Sequence, residues 1–411
     1  MNQPTVRDIS SSGSNEKDDT APGHSIVTYP EGGFRAWMVV LGAFCILFCT
    51  FGYLNTWGAY QDYYVTHQLS DYSSSALAWI GSVQVFLLYG GGVVGGPLFD
   101  RYGAKVIILP AILFVFSVMM ASICKQYYQY MLAQGILGGL CCGLMFNSAM
   151  ASHRSNWLFA RGGVIFPIAL NRMFENNHLG FGWSVRIVGF IILALLIIAM
   201  STLRERLPSR KGPFLVPSAF TNLNFVGTTI ALFFMIWGMF TPFFYIEIFA
   251  TYKGMGATLA TYMLPILNAA SIFGRLLPGF IADKFGPFTT LFISATVTSV
   301  LLFSWIAVSS NAGIIVFSIF YGSCSGAIIS LMSPCIAKIT PEPQLIGTYL
   351  GMALFVVAIA GLTGTPICGA LIDRYNSFTQ AAAFSGSCVM FGAVVILLLR
   401  LNFNRHLRVP I

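Results

Sequence analysis

Two stretches decide the fold: Gly96-Pro97-Leu98-Phe99-Asp100-Arg101-Tyr102-Gly103 and Gly279-Phe280-Ile281-Ala282-Asp283-Lys284-Phe285-Gly286. Both read G-x-x-x-D-(R/K)-(aromatic)-G, and they stand 183 residues apart. Gly369-Ala370-Leu371-Ile372-Asp373-Arg374-Tyr375 is a third, partial copy. Each copy closes an apolar run of membrane-helix length, so the repeat implies a chain built from two related halves. The glycines let neighbouring helices approach, and the acid-base pair can bond across the half interface in one conformation and release it in the other. A tight turn with a solvated charge pair explains one copy as well. Two copies in register favour gating, and the gating positions are Gly96, Asp100, Arg101, Gly103, Gly279, Asp283, Lys284 and Gly286.

The rest of the chain fits a membrane protein. Of 411 residues 56% are hydrophobic and only 9% charged, with a mean hydropathy of +0.76. Lipid must be the solvent for most of it. Apolar runs of roughly 20 residues, the length a helix needs to cross the hydrocarbon, recur along the sequence. They fall near 36–60, 75–98, 106–124, 127–151, 182–203, 223–250, 259–282, 288–308, 314–334, 346–371 and 378–401, with a shorter candidate at 162–174. Counting the short piece gives twelve spans, an all-α membrane fold of two six-helix bundles with span 5 shortened.

The division expected is a disordered cytoplasmic tail over 1–35, an N-terminal bundle over 36–203, a cytoplasmic linker over 204–222, a C-terminal bundle over 223–401 and a short tail over 402–411. No signal-peptide core precedes 36–60, so that segment should insert uncleaved. Twelve spans put 16 of the 22 Lys and Arg on the side of the termini and leave only Lys125, Arg172, Lys253 and Arg374 on the other. The basic excess marks cytoplasmic loops, which makes both termini cytoplasmic. The +8 charge therefore orients the chain and does not call for nucleic acid. A multi-pass plasma-membrane protein, with vacuolar and other endomembranes as alternatives, is the expectation.

The repeated octets resemble the loop motif of the major facilitator superfamily, whose fold implies two bundles rocking about a central site. Glu31-Gly32-Gly33-Phe34-Arg35-Ala36-Trp37 is similar to the opening of the monocarboxylate porter family, and Gly274-Arg275-Leu276-Leu277-Pro278-Gly279 to its arginine-bearing helix. Gly162-Gly163-Val164-Ile165-Phe166-Pro167 and Gly182-Trp183-Ser184-Val185-Arg186 extend the likeness over 30–401, most closely to a fungal branch. The resemblance implies a carrier of small organic anions, with symport of protons as one coupling. Two positions depart from the proton-coupled pattern: Asn55 stands where a lysine is expected and Ser271 where an acid is. Efflux of a secondary metabolite is compatible with both.

Span 5 is the larger departure. Met332 to Pro366 is 34 residues, whereas the corresponding Met145 to Pro167 is 22. A natural deletion and a shortened gene model explain the gap equally, and a transport-dead remnant is the consequence to test.

Candidate chemistry is sparse. Arg275, eight residues before Asp283, lies roughly 12 Å inside the helix end, where a fixed cation needs a partner. An anionic substrate would supply it, and a structural pair with neighbouring carbonyls is the alternative. Glu247, the one acid deep in a span, is the coupling candidate, unless it snorkels to the interface. Asn55, Tyr53, Tyr245 and Asn268 are candidate cavity residues, with helix packing as the competing role. The nine cysteines read as packing residues, and five scattered histidines offer no metal-ligand spacing. No Walker-type loop, catalytic set or cofactor motif is present, so the expected partners are lipid, a small solute and protons, acting on a monomeric carrier that is not an enzyme.

Overall fold

The computed structural model describes residues 34–150, 162–174, 180–202, 215–342 and 345–406. Residues 1–33 and 407–411 of the expected tails, most of the inter-bundle linker and the 151–161 stretch before span 5 lie outside the described residues, while the first and last helices run from Phe34 and to His406, into the stretches expected as tails.

Ten helices among the described residues are long and apolar enough to cross a membrane: Leu41–Gln68, Ser75–Gly95, Tyr127–Phe146, Gly180–Thr202, Leu223–Tyr252, Ala257–Phe285, Pro287–Ala307, Asn311–Ile339, Ile346–Tyr375 and Thr379–Asn402. These are spans 1, 2, 4 and 6 to 12. Span 3 is the shorter apolar helix Lys105–Ala121. Span 5 is the Gly162–Phe174 helix of 13 residues, about 20 Å at 1.5 Å per residue and short of a full crossing by itself.

The repeat is visible in the packing. In the first half span 1 lies on spans 5 and 6, span 2 on span 4, and span 3 on spans 4 and 6. In the second half span 7 lies on spans 11 and 12, span 8 on span 10, and span 9 on spans 10 and 12. Adding six to each number converts one set into the other. Between the halves, span 2 packs on span 11 and span 5 on span 8, a pair that the same operation exchanges.

Glycines set the closest of these contacts. A Cβ at Gly139 or Gly143 of span 4 would lie 2.9 Å from Gln84 Cα or 2.1 Å from Leu87 O of span 2. Their counterparts 183 residues on, Gly322 and Gly326 of span 10, would meet Leu267 O at 2.1 Å and Ser271 O at 2.6 Å of span 8. Only glycine permits backbones this close.

Spans 1 and 7, equivalent in the repeat, are both broken near mid-length. Span 1 runs as Phe34–Leu54 and then Trp57–Tyr63, with the Thr56 hydroxyl donating to the Tyr53 carbonyl at 2.5 Å. Span 7 runs as Leu223–Met239 and then Thr241–Tyr252. Pro242, which has no N–H to give, sits in the first turn of the restarted helix, the position where proline costs least. The apolar runs alone predict both as continuous.

The face holding the start of span 1 and the end of span 12 is here the terminal face, and the opposite one the distal face. At the distal face the second pieces of spans 1 and 7 pack on each other. Gly58 makes that possible: its Cβ would be 2.8 Å from Phe243 O.

Candidate functional site

Arg275 of span 8 is buried at 6% exposure, and its guanidinium carbon lies 4.5 Å from the ring centroid of Phe51 in span 1, across the half interface. Phe51 stacks on Phe146 of span 4, with centroids 6.0 Å apart and 24° between planes. Phe146 meets Tyr89 of span 2 edge-on at 6.2 Å and 90°. Tyr89 is the ionisable neighbour of Arg275. Three spans of the first half thus build a chain of rings, and its first member, Phe51, carries a cation supplied by the second half. Cation-π contact is worth about 0.5–2 kcal/mol, the larger value when desolvated.

The stack constrains the plane of the guanidinium but leaves its edge. Nε and Nη2 of Arg275 are buried without a hydrogen-bond partner among the described residues, as is the Tyr89 hydroxyl. Nε and Nη2 are the side-on fork that grips both oxygens of a carboxylate. Buried donors left unpaired cost about 1–3 kcal/mol each, so native proteins keep few of them and keep them for a reason.

Asn268 lies two turns earlier on the same face of span 8, buried at 1% with both amide atoms unpaired among the described residues. Asn55, at the break of span 1, is buried at 6% and keeps the helical bond from its N–H to Phe51 O at 3.1 Å. These two sequence candidates therefore line up with Arg275 or with Phe51.

Tyr53 and Tyr245 do not. Two residues turn a helix by about 200°, so Tyr53 points away from the face of Phe51 and into its own bundle. It packs on Tyr60 at 5.8 Å and on Phe114 at 5.4 Å. The Tyr245 hydroxyl donates to Thr365 O at 3.1 Å, which makes it a strut between spans 7 and 11. Glu247 is buried in the second piece of span 7 at 3% exposure, and it engages a neighbour. Arg186 anchors its helix by donating to Ser122 Oγ at 3.1 Å and covering Trp183 at 5.2 Å.

The octets behave unequally. The side chains of Asp100 and Arg101 and the surroundings of Gly96 and Gly103 lie outside what is described, although the backbone of Gly92–Tyr102 is helical and packs on span 11. Gly286 ends span 8 at φ 86°, a backbone that favours glycine. Asp283 and Lys284 are exposed, and a Cβ at Gly279 would meet nothing within 4 Å, so the close approach expected there is not made in this conformation.

The partial third copy makes it instead. A Cβ at Gly369 would strike the Tyr245 hydroxyl at 2.5 Å and Ser75 Cα of span 2 at 2.9 Å. Asp373 Oδ2 accepts from the Ser75 backbone N–H at 3.1 Å, and Ser75 Oγ donates to Pro366 O at 3.0 Å. The Ser82 and Thr365 hydroxyls bond further along the same seam at 2.5 Å. Spans 2 and 11 are closed together at the distal face.

Sequence reasoning missed Phe51, Tyr89 and Phe146 because a ring in an apolar run carries no mark of which way it faces. The paired glycines of spans 4 and 10 were open to it, since both repeat at the spacing of the octets.

All nine cysteines are free, eight of them buried, consistent with packing. Among the described residues no cluster of metal-ligating side chains occurs.

A family model described as Major Facilitator Superfamily matches residues 159–365. The chain is similar to the "Aspyridones efflux protein apdF" of Emericella nidulans, 51% identical over 380 residues that cover 89% of this chain and 78% of that protein. It is also similar to the agnestins efflux protein of Paecilomyces divaricatus, 38% identical over 391 residues, 91% of this chain and 89% of that one. The relatives are thus named for transport and efflux, and the monocarboxylate porter likeness drawn from the sequence finds no counterpart in their names. Among solved structures, a variant of the nucleoside transporter NupG matches with a TM-score of 0.70 at 12% identity, covering 89% of this chain and 99% of that one, a likeness of fold alone. Repeat, packing, family model and relatives agree: this chain is a multi-pass membrane transporter, not an enzyme, and belongs to the major facilitator superfamily.

Proposed function

We propose that the chain exports a small organic secondary metabolite by alternating access, with Arg275 gripping an acidic group of the solute and both termini cytoplasmic. The single observation supporting efflux is the 51% identity, over most of both chains, to a relative named as an efflux protein. The open fork of Arg275, stacked on Phe51, supports an anionic, ring-bearing cargo. With no nucleotide-binding loop in the sequence, a gradient is the energy source, and protons are the candidate ion.

Uptake of a monocarboxylate by proton symport is the second reading, favoured by the Gly274 to Gly279 helix and by the same fork. The test is flux into and out of proteoliposomes, with a panel of radiolabelled aromatic and aliphatic acids and an imposed proton gradient of either sign. Export predicts solute movement against the direction of proton flow. Movement with the protons supports symport, and no flux of any solute by an inserted, folded protein supports a remnant.

A further inference from the structure

Arg275 supplies one unmet set of donors at the half interface. Its ionisable neighbour Tyr89 holds a second unmet donor, a hydroxyl buried at 2% exposure and without a partner among the described residues. Tyr89 belongs to the first half of the molecule and Arg275 to the second. The ring of Tyr89 is fixed edge-on against Phe146, which in turn stacks on the Phe51 that carries the guanidinium. The hydroxyl is thus placed by packing, not by a hydrogen bond of its own. A phenol is a costly way to fill an apolar site when phenylalanine would fill it equally, so the hydroxyl calls for an acceptor. The fork of Arg275 calls for one too, and both calls converge on the half interface.

We propose that Tyr89 is a specificity-determining residue which, with Arg275, seats a planar acid whose two oxygens share one negative charge. The fork takes both oxygens and the Tyr89 hydroxyl donates to one of them, while Phe51 and Phe146 flank the conjugated body of the cargo. Because the donors come from opposite halves, the bound acid ties the halves together. A neutral head group would leave the charge of the fork unmet. This rests on the anion-binding reading of Arg275 and adds to it a second donor and a planar head group.

The test compares purified full-length wild type, Tyr89→Phe and Arg275→Gln for binding of 2-naphthoate and of its methyl ester, by ligand-induced thermal shift and by radioligand equilibrium. Tyr89→Phe removes only the hydroxyl and keeps the ring contact with Phe146. The proposal expects the acid-over-ester preference of wild type to fall about tenfold in Tyr89→Phe, the size of one hydrogen bond to a charged acceptor. Arg275→Gln should abolish the preference. An unchanged preference in Tyr89→Phe, with Arg275→Gln still losing it, overturns the role of Tyr89 and leaves the anion reading standing. A wild type that prefers the ester overturns both. A Tyr89→Phe protein that loses acid and ester equally shows a packing role and overturns the proposal.

Discussion

The backbone N–H of Ser75 gives its hydrogen bond to Asp373 Oδ2, 3.1 Å away in the other half of the molecule. Ser75 lies in the first turn of span 2, where helix N–H groups have no partner inside the helix. Its neighbour Ala76 is served locally by the Ser73 hydroxyl at 3.2 Å, so the carboxylate of span 11 satisfies the donor the local cap leaves. A negative charge at a helix N-terminus is also favoured by the helix dipole. Gly369 of the same octet provides the space that brings the two backbones together. Glycine and acid of one motif therefore act on one residue of the opposite half. The clasp must open when the distal face opens.

Asp373→Asn keeps the shape and removes the charge. Asp373 is exposed, so the loss should be small, about 1 kcal/mol or less, which amounts to a severalfold shift toward distal opening. A Ser82→Cys reporter, buried in the same seam, should be alkylated severalfold faster in the Asp373→Asn background, measured in nanodiscs with a hydrophilic maleimide. Equal rates in both backgrounds would count against the clasp.

The glycines separate scaffold from gate. Gly274→Ala would put a Cβ 1.8 Å from Ser323 O, a backbone atom that cannot turn aside. Overpacking of this kind costs about 1–3 kcal/mol or more, and the variant should show a lowered melting temperature or fail to accumulate. Gly279→Ala meets open space and should melt like wild type. If instead it slows transport without touching stability, Gly279 is needed in the state where the terminal face closes.

How far the sequence reached follows from these positions. Apolar run length identifies helices, and the octets identify halves, because both are periodic along the chain. Arg275 stood out because charge in an apolar run is rare. The Phe51 to Phe146 to Tyr89 chain could not be read, since every run carries aromatic residues and rotation about the helix axis decides their neighbours. Tyr53 shows the cost: two residues from Phe51, it is a cavity candidate in the sequence where Phe51 is not, and it faces the other way. The breaks in spans 1 and 7 were half legible, in Asn55-Thr56 and in Thr241-Pro242. Among the described residues, the motif acid that bonds across the halves, Asp373, sits in the copy whose pattern is least complete.

Arg275→Lys tests the fork. Lysine keeps the charge but offers a point donor that cannot hold two oxygens in one plane or stack on Phe51 as a flat cation. Affinity for a planar acid should fall about tenfold, with a neutral analogue much less affected. Unchanged acid affinity in Arg275→Lys would leave only a charge requirement and remove the bidentate contact.

Span 5 offers a test of completeness. Gly162–Phe174 packs on span 8 and carries Arg172 over the Tyr262 ring at 5.4 Å, near the distal end. Its counterpart, span 11, has 30 residues and follows span 2 from Gly351 beside Gly92 to Asp373 at Ser75. Sequencing the full transcript checks whether an in-frame stretch belongs between Ser152 and Gly162. A chain carrying such a stretch should melt higher and transport faster than the 411-residue form.

Glu247 carries the last expectation. It is the acid deepest in a span, buried at 3%, on the restarted piece of span 7 that closes against span 1. Moving that piece at each turnover changes what surrounds the carboxyl, which is what proton coupling needs. A carboxyl that must gain a proton in one half of the cycle makes the rate depend on pH. Glutamine is neutral at every pH and cannot. Glu247→Gln should therefore bind solute and exchange it across vesicles at equal concentration, yet lose both the acceleration by an imposed proton gradient and the pH dependence of net flux. Exchange and net flux measured side by side across pH 5 to 8, roughly the range of physiological proton gradients, decide it. A variant that keeps the wild-type pH profile excludes Glu247 as the coupling group.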